Sequence, residues 1–127
     1  PRAASPAKAY GLMQLLVPTA NSVAKKYVSK TSSVTSTALF HGPLNIELGT
    51  AHLRELLDSQ GSVVEVLAAY NAGGHRVARW RTKAGAGDPE FLVERIPYVE
   101  TRDYVRIVQR NRALYRALYH WPERLTP

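Results

Sequence analysis

The sequence predicts a mainly α, compact single domain, and three observations carry that expectation. Apolar residues return at helical spacing in several stretches, one of those stretches is apolar nearly all round, and Pro and Gly stand where such stretches begin and end. The 127 residues suffice to bury one hydrophobic core without disulfides or metals, and leave no room for a second domain. Apolar residues at 45% and charged residues at 21% are ordinary for a globular chain.

Residues 9–16 form a short apolar segment, and Pro18 suits the first turn of a helix, where its missing N–H costs nothing, so 19–27 is expected to continue as helix. Residues 28–38, rich in Ser and Thr without an apolar stripe, read as a loop, with a small extended excursion around 28–42. Pro43 opens a helix to Gln60 in which Leu44, Ile46, Leu48, Ala51, Leu53, Leu56 and Leu57 define one broad face, and Gly61 ends it.

Ser62 is placed to cap the next helix with Glu65 as its capping-box partner. Val63, Val64, Val66, Leu67, Ala68 and Ala69 make that helix apolar nearly all round, so it belongs at the centre of the domain. Gly73 and Gly74 close it, and 75–82 resumes as helix with Val77 and Trp80 on one face. After the flexible link KAGAGD, Asp88, Pro89 and Glu90 give an N-cap, an N1 proline and an acid on the helix dipole, with Phe91 and Leu92 as apolar anchors. Pro97 interrupts, and 99–119 is a long final helix expected to turn Tyr104, Val105, Ile107, Val108, Leu114, Tyr115 and Leu118 inward. Its arginines 102, 106, 110, 112 and 116 point mostly outward.

The 17 Lys and Arg against 10 Asp and Glu give a net charge of +7, which draws the protein toward polyanions without choosing among them. The arginine-rich last helix makes a nucleic-acid binder conceivable, but charge is its sole support and nucleic acid is not expected as a partner. Absence of Cys excludes a thiol nucleophile and a Cys-ligated zinc. His41, His52, His75 and His120 lack metal-ligand spacing, so neither metal nor cofactor is expected. Apolar runs of a few residues cannot span a membrane, and any export signal is expected upstream of Pro1.

Two constellations can carry chemistry. The turn Gly11, Leu12, Met13, Gln14 offers a thioether and an amide, and the stretch LAAYNAGG delivers the Tyr70 phenol and the Asn71 amide where a buried helix ends. Each alone also fits a structural role, Met13 as core filler, Tyr70 and Asn71 as closure of a turn. No carboxylate precedes Glu47, and Glu55, Asp58 and Glu65 sit where solvent or a cap explains them.

Taken in order, these blocks resemble the lytic transglycosylases of the soluble murein type, which have a lysozyme-like fold. Pro1, Ala3, Ser5 and Ala9 are similar to the trailing part of that family's Glu-Ser-x-Phe-x-Pro-x-Ala-x-Ser segment and its short link, and the GLMQ block, Thr19 and Ala20 to its Gly-Leu-Met-Gln and helix start. Asn45, Ile46, Leu48 and Gly49 match its Asn-Ile-x-Leu-Gly helix, and Ala69 to Gly73 its Ala-Tyr-Asn-Ala-Gly. Arg76, Val77 and Trp80 come after the turn, then Ile96, Pro97, Tyr98, Glu100, Thr101, Arg102, Tyr104 and Val105 in its last block. Lys8 departs from the family's usual Gly, and Gly74-His75 from its Pro-Gly.

The resemblance implies cleavage of peptidoglycan between N-acetylmuramic acid and N-acetylglucosamine, giving a 1,6-anhydromuramoyl product, in the periplasm or cell envelope of a bacterium. It implies one catalytic Glu about five residues before Pro1 by the motif register. Residues 1–127 are then a catalytic domain truncated just after its acid, inert alone, with no catalytic residue of its own. Ser5, Met13, Gln14, Tyr70, Asn71 and Glu100 are the implied substrate-binding residues, and peptidoglycan glycan strands and further upstream domains the implied partners. Glu100 is a poor substitute acid, because a helix start favours its charged form. The competing expectation is a noncatalytic murein-binding module.

Overall fold

The computed structural model describes residues 2–27, 33–84 and 89–119, and most of them are helical. They fall into two compact units, Pro1–Glu55 and Leu56–Pro127.

The first unit begins with an antiparallel pair, β1 (Ala9–Tyr10) and β2 (Leu15–Leu16), in which Ala9 faces Leu16 and Tyr10 faces Leu15. Ala4 bridges to Tyr10 on the other side. Helix α1 (Val17–Tyr27) comes directly after β2, with Pro18 in its first turn as expected, and Lys25 and Lys26 where they favour the negative end of its dipole. Ala20, Val23 and Ala24 are its buried side.

The extended pair thus lies at 9–16, one element earlier than the sequence suggested. Within 33–42 the chain instead makes a 3-10 turn (Ala38–Phe40) that buries Leu39, and 28–32 lies outside the described residues. The Asn21 side chain organises the segment before that turn. Its Nδ2 donates to Val17 O (3.0 Å) and Val34 O (2.9 Å), while its Oδ1 accepts the Val34 N–H (2.8 Å).

Helix α2 (Gly42–Ser59) carries residues of both units. Its buried face differs from the expected one. Asn45, Leu48 and Gly49 are buried, whereas Ile46 is 47% exposed. Counting apolar residues alone had passed over Asn45, a polar residue sitting on the buried stripe.

In the second unit, α3 (Val63–Ala72) is the hub, against which α4 (Gly74–Ala84), α5 (Pro89–Arg95) and α6 (Val99–Tyr119) pack. Val64, Val66, Leu67, Ala68, Ala69 and Ala72 are all buried, as the uniform apolar pattern required. Ser62 adopts extended backbone and its Oγ accepts the Glu65 N–H (3.2 Å), while Glu65 Oε2 accepts the Gly61 N–H (3.0 Å). The box therefore closes one residue earlier than the usual reciprocal pair.

Glu65 is more than a cap. It is buried, and its Oε1 accepts from Arg81 Nε of α4 at 2.7 Å, so the carboxylate entering this core is neutralised by the neighbouring helix. Gly73 ends α3 at φ +94, a backbone state that suits glycine, and donates its N–H to Ala69 O (2.8 Å). The Asp88 cap and the Gly85 link lie outside the described residues, as does His120.

On α6 the expected inward face holds only near its start. Thr101 and Val105 are buried, and Tyr104 and Val108 partly so, but Ile107, Leu114, Tyr115 and Leu118 are exposed, Leu118 by 71%. Helical periodicity says which residues share a face. It does not say that the helix has a neighbour along its whole length.

Candidate active site

The site residues expected from the sequence divide between the units, Ser5, Met13 and Gln14 in the first, Tyr70, Asn71 and Glu100 in the second. Each trio is built by its own local structure.

Ser5 closes a turn. Its N–H donates to Ala9 O (2.9 Å), its carbonyl accepts the Lys8 N–H (2.9 Å), and its Oγ accepts the Ala9 N–H (3.1 Å). Lys8 within that turn has φ +59, a left-handed conformation that disfavours a side chain. Glycine would take this conformation without that cost.

The Gly11 to Gln14 turn joins β1 to β2. Gly11 (φ +79) and Gln14 (φ +50) both lie in the left-handed region. A Cβ on Gly11 would collide with Asn45 Nδ2 and the Leu39 carbonyl, so this position requires glycine on steric as well as conformational grounds. Gln14 Nε2 donates to Gly11 O (2.9 Å) and to Ala3 O (3.4 Å), which ties the amide's donor end to the main chain. Gln14 itself is exposed and Met13 partly exposed. Tyr10, at the edge of the turn, meets the Phe40 ring edge-on at 5.6 Å.

Asn45 of α2 was missed as a site-building residue. It is fully buried, accepts the Met13 N–H at Oδ1 (2.6 Å), and donates from Nδ2 to Tyr10 O (2.9 Å) and Leu39 O (3.0 Å). The signal in the sequence was a polar residue at i, i+3 from Leu48 on a stripe that otherwise enters the core, since a buried amide must find partners.

In the second unit, Tyr70 projects from the last turn of α3 and is partly buried. Burial, with a smaller contribution from neighbouring Tyr104, raises the pKa of its phenol well above the ordinary tyrosine value, so it stays a neutral O–H through any physiological pH. Burial pushes Tyr104 in the same direction. Asn71, exposed at the helix end, accepts at Oδ1 from Thr101 Oγ1 (2.7 Å), and Thr101 is a buried residue of the first turn of α6. That bond brings Asn71 beside the segment bearing Glu100, which is exposed in the same turn. Thr101 is the second residue the sequence reading left without a role.

Just before α6, Tyr98 meets Trp80 edge-on (5.4 Å) and lies under the Arg76 guanidinium (5.2 Å), which also donates to Ala72 O (3.2 Å). Three motif residues that were far apart in sequence thus interlock beside the end of α3.

Comparison with known proteins identifies the family. Residues 1–92 match the transglycosylase SLT domain family. The chain is 37% identical over 118 residues to the soluble lytic murein transglycosylase of Escherichia coli K12, covering 91% of the chain and 18% of that protein, so it spans under a fifth of the relative's length. Among solved structures, an inactive glutamate-to-glutamine mutant of the lytic transglycosylase Slt from Pseudomonas aeruginosa superposes with a TM-score of 0.83 at 31% identity, over 99% of this chain and 20% of that one. The 70 kDa soluble lytic transglycosylase of Escherichia coli gives 0.81 at 36% identity, over 93% and 19%. By family match, identity and fold together, the chain belongs to the transglycosylase SLT domain family of lytic murein transglycosylases.

Proposed function

We propose that residues 1–127 form most of the catalytic domain of a peptidoglycan lytic transglycosylase that cleaves the β-1,4 bond between N-acetylmuramic acid and N-acetylglucosamine. The observation that carries this reading is the family match over residues 1–92, which spans both the GLMQ turn and the Tyr70–Asn71 helix end. The acid belongs to a Glu about five residues before Pro1 by the motif register. That the related Pseudomonas enzyme is inactive with glutamine in place of a glutamate is consistent with a single essential carboxylate.

In this mechanism the Glu proton passes to the glycosidic oxygen as the C1–O bond breaks. The muramoyl 6-hydroxyl then bonds to C1 and returns its proton to the carboxylate, so a 1,6-anhydro ring forms and no water is consumed. Tyr70, held neutral by its burial, donates a hydrogen bond toward the acid or the adjacent sugar. Met13 supplies apolar packing, and Gln14, its donor end tied to the main chain, presents its carbonyl oxygen. Ser5, Asn71 and Glu100 take substrate contacts, Glu100 toward amides of the glycan or its peptide.

The chemistry places the protein in the bacterial periplasm or cell envelope, with glycan strands as substrate and further domains of the same polypeptide as companions. The test is digestion of purified peptidoglycan by the encoded protein extended upstream of Pro1, read by mass spectrometry. Anhydro-muropeptides are expected from the extended protein and none from residues 1–127. Reducing-end products would mean a hydrolase, and binding without any product would leave a noncatalytic murein-binding module.

A further inference from the structure

The GLMQ turn rests on one face of α2, and two residues of that face meet Met13, one at its main chain and one at its side chain. Asn45 and Gly49 are four apart, hence one helical turn apart and stacked. Asn45 holds the Met13 main chain by accepting its N–H at 2.6 Å, and its amide nitrogen is committed to the Tyr10 and Leu39 carbonyls. Gly49 is buried against the Met13 side chain. A Cβ there would stand 2.5 Å from Met13 Cβ, 2.6 Å from Cγ and 3.1 Å from Cε.

The position of the tightest contact matters. Rotating the end of the methionine moves Cε but cannot move Cβ, so a methyl group on Gly49 would displace the Met13 backbone, the part that Asn45 fixes. We propose that Asn45 and Gly49 are positioning residues that form a seat for Met13 and thereby set how far its thioether stands out toward the glycan. Their effect on the reaction runs through Met13 and requires no contact of their own with substrate. This inference rests on the reading of Met13 as a substrate contact, and adds the residues that determine where that contact lies.

Met13 is the chain's sole methionine, so a chain labelled with 13C-methyl methionine gives a single resonance that reports on the seat directly. The experiment compares wild type, Gly49→Ala, Met13→Gly and the double variant by thermal unfolding, by the methyl resonance where Met13 is present, and by affinity for tri-N-acetylchitotriose. Gly49→Ala is expected to shift the methyl resonance, lower the unfolding temperature and weaken glycan binding about fivefold, the scale of coupling between touching residues. In the Met13→Gly background the same substitution should change unfolding temperature and affinity hardly at all.

If Gly49→Ala fails to fold, recovery of folding in the double variant supports the seat. An unmoved methyl resonance, an equal loss in both backgrounds, or a double variant that also fails to fold each overturns it. A wild-type chain that binds no glycan counts against the functional reading alone. The methyl shift and the unfolding cycle still decide whether Asn45 and Gly49 seat Met13.

Discussion

The two units are stabilised by different means. Around α3 the second unit is a helix cluster in which α3 buries an aliphatic side chain at most positions, and among the described residues the one buried carboxylate, Glu65, is met by Arg81. The first unit has two-residue strands and connecting turns, and there two asparagine side chains, Asn21 and Asn45, hold loop backbone that secondary structure leaves unpaired. The contrast teaches that the wall carrying Met13 depends on a polar bracket, whereas the helix end carrying Tyr70 depends on packing.

The contrast can be broken first by deletion in each unit. Ile96→Ala, at a fully buried position of the helix cluster, is expected to cost about 3–4 kcal/mol through lost transfer energy and the cavity left behind. Asn45→Ala should cost about 3 kcal/mol, close to the aliphatic deletion, because it strands one N–H and two carbonyls away from water. Urea titration of both variants checks the pair. A loss below about 1 kcal/mol for Asn45→Ala would mean that the bracket is ornamental.

A smaller effect separates the units by pH. Burial lowers the pKa of His52 from its ordinary value of 6.5, attraction to Glu55 opposing the shift and Lys26 adding to it. The unfolded chain therefore binds this proton more tightly than the folded one, and stability contributed by neutral His52 is lost as pH falls below about 6.5. Glu55 is shifted down chiefly by its hydrogen bond from Lys26, so its contribution is present above the ordinary carboxylate pKa and is lost at lower pH, below 4.5. His52→Leu should flatten the stability profile as pH falls below about 6.5 and leave the limb below 4.5 in place, as read by denaturant midpoints across pH.

The smallest expected effect is a gain. Lys8→Gly relieves a left-handed residue but also loosens the unfolded chain, for a net stabilisation of about 0.5 kcal/mol. Thermal melting of the variant checks the sign. A loss would show that the Lys8 side chain makes contacts worth more than its backbone strain.

The helix cluster was legible in the sequence because its signals are local. Ser62, Glu65 and the nearly all-round apolar character of α3 specify a capped, buried helix without knowledge of any partner. The exposed apolar end of α6 was not legible, since Leu114 and Leu118 have the spacing of a buried face and periodicity cannot count neighbours. At the site, the motif blocks marked Met13, Gln14, Tyr70 and Asn71, but the reasons for Asn45, Gly49 and Thr101 lie in contacts 30 or more residues away in sequence. A departure from the family pattern at Lys8 could be seen in the sequence. Its physical meaning needed the backbone angle.

The two left-handed residues of the GLMQ turn, Gly11 and Gln14, also bear on how binding is divided between enthalpy and entropy. A methionine that must be ordered on contact with a ligand forfeits rotamer freedom of roughly 1.5–2 kcal/mol at that moment. Here the turn conformation, the Asn45 bracket and the gap at Gly49 restrict Met13 before any sugar arrives. The ordering is completed when the chain folds, so under the proposed function a glycan would meet a surface that is already preorganised.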